Sequence, residues 1–106
     1  MSRKVKSLLD ELKSGLRSIY RMRLRGVYLY GSYARGEEVR ASDVDVLVVI
    51  DRVGHYAAEV DHTGELCAKL SLKYDRSISR VFVSERDWKT RKTPFLENVR
   101  EEAVAA

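Results

Sequence analysis

The chain has a single cysteine, Cys67, so it can close no internal disulfide, and this suits a reducing cytoplasm. Cys67 falls on the apolar side of an expected helix and reads as core rather than as a reactive thiol. No apolar run approaches the ~20 residues needed to cross a bilayer, so no membrane association is expected. The opening MSRKVKSLLDELK has no uninterrupted apolar segment, which speaks against a signal peptide. The two histidines, His55 and His62, stand seven apart with no convergent ligands, which argues against a zinc site. Internal repeats, linkers and low-complexity stretches are also missing.

What is present fits one compact domain over residues 1–106, with 44% hydrophobic and 34% charged residues. The formal net charge is +4, and basic residues crowd early at Lys4, Lys6, Lys13, Arg17, Arg21, Arg23 and Arg25. Such a bias can attract phosphate-bearing ligands or nucleic acid. Basic residues are not interleaved with exposed aromatics, however, as they are in a single-strand binder. A solvated helix face is the better reading, and nucleic acid is not favoured as a partner.

Periodicity supplies the elements. Val5, Leu8, Leu9, Leu12, Leu16, Ile19 and Tyr20 recur at three- and four-residue steps and predict a helix over residues 3 to about 23, weakened at Gly15. Val27–Tyr30 reads as a first strand. A second runs from Ser42 to Ile50, with Asp43, Asp45, Leu47 and Val49 on one face and Val44, Val46, Val48 and Ile50 on the other. Beyond Asp45 both faces are apolar, so this strand is expected to be central. A helix follows over about 55–74, interrupted in pattern by Gly64, then a strand over 77–83. Ser84-Glu85-Arg86-Asp87 resembles a capping box opening a short helix, and Thr93-Pro94 opens the last helix.

The chemistry concentrates in VYLYGSYARGEEVRASDVDVLVVI, residues 27–50. Gly31 ends a strand and lets the backbone approach a ligand closely, and Ser32 adds a hydroxyl beside free backbone N–H groups. Such a turn holds phosphates, and the Arg35 guanidinium suits the same charge. Asp43 and Asp45 stand at the exposed start of a buried strand, ~7 Å apart at Cα. Two carboxylates so placed can share divalent cations that also bridge phosphate oxygens. Asp-x-Asp alone is weak, because it often marks a turn. Ten residues after a strand that ends in Gly-Ser, it is much stronger.

These residues, G-S-Y-A-R-G followed by S-D-V-D-V-L-V-V, resemble the nucleotidyltransferase superfamily of the DNA polymerase beta type. The short chain looks like the minimal nucleotidyltransferases, some of which are antitoxins encoded beside HEPN-domain toxins. The resemblance implies a small α/β fold, a mixed sheet of three or more strands flanked by helices. It implies that Gly31 and Ser32 bind nucleotide phosphates while Asp43 and Asp45 bind Mg²⁺. The reaction implied moves a nucleoside monophosphate, expected to be AMP from ATP, to an acceptor hydroxyl, with a helical HEPN-type protein or a second copy of the chain supplying the acceptor surface. One departure stands out. The family places a third carboxylate on the next strand, and SISRVFV carries none. Ser77 and Ser79 occupy those positions, and Asp75 substitutes only if the strand starts early. The rival expectation is therefore a binding module that keeps nucleotide or partner binding without full catalysis.

Overall fold

The computed structural model describes residues 1–106. Helix α1 (Arg3–Tyr20) starts at Ser2, whose hydroxyl accepts the Val5 N–H. It ends earlier than the periodicity suggests, because Arg21 takes a positive φ of 53° and a 3₁₀ turn, Arg21–Arg23, redirects the chain. Ile19, counted in the apolar stripe, is 39% exposed, whereas the rest of that stripe is buried. Strand β1 (Leu24–Tyr30) begins three residues before the expected start, since Leu24 already pairs with Ile50. After the short helix α2 (Ser32–Arg35) the chain loops to β2 (Val44–Ile50). Ser42 belongs to that loop rather than to the strand: its hydroxyl accepts the Val39 N–H and its own N–H bonds the Val39 carbonyl.

Helix α3 (Tyr56–Tyr74) crosses back to β3 (Ile78–Ser84), which runs parallel to β2. Helix α4 (Glu85–Thr90) is capped by Ser84 and α5 (Pro94–Glu102) by Thr93, as the sequence indicates. A two-residue strand, β4 (Val104–Ala105), was not expected. Helix α5 stops at Glu102, and the unpaired outer edge of β1 takes up the extended segment, Tyr28 opposite Ala105 and Leu29 opposite Val104. The sheet order is β3-β2-β1-β4, mixed, as in the expected small α/β nucleotidyltransferase fold.

Two apolar layers sandwich the sheet. On one side α1 and α3 bury Leu8, Leu12, Leu16, Cys67 and Leu70 against Val27, Leu29, Val44, Val46 and Val48. On the other, Leu96 and Val99 of α5 cover Leu47, Val49 and Val83. Strand β2 is thus covered on both faces, and its alternation is as read from the sequence. Cys67 is core. Gly15 is more than a blemish in α1. A Cβ there would come within 2.5 Å of Leu66, so the missing side chain makes the notch into which α3 packs.

Candidate functional site

The site forms where β1 leaves the sheet and β2 enters it. Tyr30, the last residue of β1, pairs with Asp45, so the Gly31 turn lies beside the second aspartate. Gly31 has φ +76° and ψ −156°, and an added Cβ would fall 2.3 Å from Asp45 Oδ2. Glycine is thus required twice, by the backbone angle and by the carboxylate pressed against it. Ser32 follows as the first residue of α2, and Arg35 N–H closes that turn on the Gly31 carbonyl at 3.1 Å.

Asp43 is exposed and Asp45 half-buried. Burial pushes the Asp45 carboxyl above the usual carboxylate range and the neighbouring charge of Asp43 adds to the rise, while Arg35 opposes it. Tyr30, on the same face, is pushed up to about 12, first by burial and then by Asp45. The sequence-predicted residues Gly31, Arg35, Asp43 and Asp45 therefore share one electrostatic environment. No third carboxylate, histidine or cysteine joins the aspartates in metal-ligating geometry. The strand register puts Ser79 opposite Asp45, and Val81 and Val83 of the same strand pack on the Leu47 side, so Ser79 faces the way Asp45 does. Asp75 is at the C-terminus of α3 in a left-handed conformation, before β3 begins.

One residue escaped the sequence reading. Glu102, the last residue of α5, accepts the Gly31 N–H at 3.0 Å through Oε1 and the Arg35 guanidinium at 2.8 Å through Oε2. Those two bonds, Arg35 first, hold its carboxyl below the usual range. Nothing in the sequence flags it, because Gly31 and Glu102 are 71 positions apart and Glu102 belongs to no motif. Arg35 is also bound by Glu37 at 2.9 Å.

The sequence profile of the nucleotidyltransferase domain matches residues 9–102, which takes in the Gly-Ser turn, both aspartates and Glu102. The chain belongs to the nucleotidyltransferase family. Among its relatives is MJ0604 of Methanocaldococcus jannaschii, provisionally named a protein adenylyltransferase, 39% identical over 73% of this chain and 71% of that protein. Among solved structures, one described as a minimal nucleotidyltransferase is 26% identical, covers 93% of this chain and 92% of its own, and superposes with a TM-score of 0.56. A chain from a toxin–antitoxin crystal structure with AMP-PNP superposes with a TM-score of 0.62 at 23% identity, covering 89% of this chain and 68% of that one. The architecture is that of a minimal nucleotidyltransferase of the polymerase beta type. Membership brings nucleotidyl transfer in general, with a nucleoside triphosphate as donor.

Proposed function

We propose that this nucleotidyltransferase moves AMP from ATP to a hydroxyl of a partner protein, with Mg²⁺ held by Asp43 and Asp45. The observation that carries the proposal is the meeting of the Gly31 amide, the Arg35 guanidinium and the Asp43–Asp45 pair at one end of the sheet. The donor set suits magnesium: two hard carboxylates near enough to repel one another, and Mg²⁺ is commonly held by one or two carboxylates plus substrate phosphates. Bound there, the ion would neutralise phosphate charge and orient the triphosphate.

The chain's own groups do the rest. The Gly31 N–H and Ser32 hydroxyl seat the phosphates, and Arg35 offsets their charge with a planar fork of donors. The acceptor oxygen bonds the α-phosphorus, the bond to pyrophosphate breaks, and the hydroxyl proton passes to solvent. The protein's share is positioning and charge neutralisation.

The protein partner rests on two supports: the name of the Methanocaldococcus relative and the likeness to a toxin–antitoxin chain. A helical HEPN-type partner fits both, and a second copy of the chain is the alternative. The second reading, a binding module with weakened catalysis, is favoured by Ser79 beside Asp45 where the family carries an acid.

Transfer of labelled AMP to a co-purified partner tests both. The D43N/D45N double variant should abolish transfer, and S79D should tighten Mg²⁺ binding and raise turnover. Robust turnover by the parent, unchanged by S79D, would reject the weakened-module reading. Full transfer by the double aspartate variant would reject the metal assignment.

A further inference from the structure

The donors assigned above to the nucleotide's phosphates are already engaged by one side chain of the protein. Glu102 takes the Gly31 N–H with one oxygen and the Arg35 guanidinium with the other. A carboxylate held by a backbone amide and a guanidinium occupies the position and uses the donors that a phosphate would. We infer that Glu102 is an internal competitor for the triphosphate, so that nucleotide binding at this site is the exchange of one anion for another. The inference rests on the phosphate-binding assignment of Gly31 and Arg35.

Three observations favour exchange over coexistence. An amide N–H makes one strong hydrogen bond, and Gly31 has given its own to Glu102. A phosphate added beside an undisplaced Glu102 would share its surroundings with Asp43 and Asp45 as well. A divalent ion offsets two of those three carboxylate charges and Arg35 the third, so with Glu102 in place the guanidinium has no charge left to offset the phosphate. Finally, the means of release are built in. The Glu102 side chain is 23% exposed, so a rotamer change can carry it towards solvent, while Glu37 still anchors Arg35.

Two other roles for Glu102 predict the opposite result. As a metal ligand replacing the missing acid of β3, it would strengthen magnesium binding, but both its oxygens have partners and no three-carboxylate geometry exists. As a positioning group for Arg35, it would strengthen phosphate binding. Loss of the carboxylate would then weaken the site in either case, whereas an internal competitor predicts a gain.

The experiment is calorimetric titration of magnesium tripolyphosphate, a probe without base or sugar, into the parent, E102Q and E102A. Circular dichroism and thermal melts would establish that all three are folded. The expected result is an affinity at least tenfold higher for E102Q than for the parent, with E102A at least as tight. Unchanged or weaker binding in both variants, or no binding by any of the three, overturns the inference. The labelled-AMP assay reports separately on catalysis. Tighter tripolyphosphate binding without AMP transfer would leave the Glu102 exchange standing and the transferase reading refuted. Transfer at parental level with unchanged affinity in E102Q would refute the exchange alone.

Discussion

Single residues set the limits of this site, and Gly31 is the clearest. Its φ of +76° and the 2.3 Å approach of any Cβ to Asp45 mean that Gly31→Val must strain the backbone and displace the carboxylate. The strain alone costs about 1–3 kcal/mol, so the variant should melt at lower temperature and lose Mg–ATP binding together. Calorimetry on the same sample measures both, and unchanged affinity would make the turn merely structural. The aspartates should behave differently. Asp45 is half-buried and repelled by Asp43, so D43N/D45N removes an unfavourable charge pair and should not lower stability while abolishing Mg–ATP binding. Away from the site, Glu59 is 4% exposed and accepts the Tyr20 hydroxyl at 3.0 Å. Tyr20→Phe removes that hydrogen bond and leaves the buried carboxylate to the Arg23 guanidinium at 3.7 Å, and it should cost about 1 kcal/mol in urea unfolding.

At the scale of elements, the pairing of α1 with α3 has a pH dependence of its own. Glu11 of α1 accepts hydrogen bonds from the Tyr74 hydroxyl and the Lys73 ammonium of α3. Tyr74 first, then Lys73, holds the Glu11 carboxyl below its ordinary range. A carboxyl lowered by folding binds its proton less readily in the folded chain than in the unfolded one. The stabilisation is therefore complete above the ordinary glutamate value of about 4.3 and is lost as pH falls through the lower, folded value. Glu11→Gln should lower stability at neutral pH and flatten the acid limb of a stability–pH curve, so that parent and variant converge as the pH falls below the ordinary glutamate value. An identical acid limb in parent and variant would show that the contact carries no linkage.

For the whole molecule, what the sequence reveals divides by sequence distance. Most of each helix face, the buried run of β2 and the two caps at Ser84 and Thr93 are local and periodic, and they stand as read, with Ile19 and the start of β2 at Ser42 as exceptions. Gly31, Asp43 and Asp45 were legible because one motif carries them and a strand pairing brings its two ends together. The β1 start was not, because Leu24 is extended by pairing with Ile50 rather than by its own neighbours. Glu102 and β4 were invisible for the same reason on a larger scale. A glutamate at the end of an amphipathic helix looks like surface charge until β1, from far earlier in the sequence, is laid beside it.

That lateral contact also governs the order in which the molecule opens. Strand β4 is held to β1 by two residue pairs and the Ala106 N–H on the Val27 carbonyl, with Val104 and Ala105 exposed. So small an apolar burial, closing so long a loop, belongs to the least protected part of a fold. Its amides, and the Gly31 amide tied to Glu102 just before it, should exchange with deuterium orders of magnitude faster than those of Val46 and Val48 in the centre of β2. NMR exchange would measure this, and equal protection across the sheet would contradict it. The edge would then open by local fraying without global unfolding, and the turn at Gly31 would meet solvent on the timescale of that fraying.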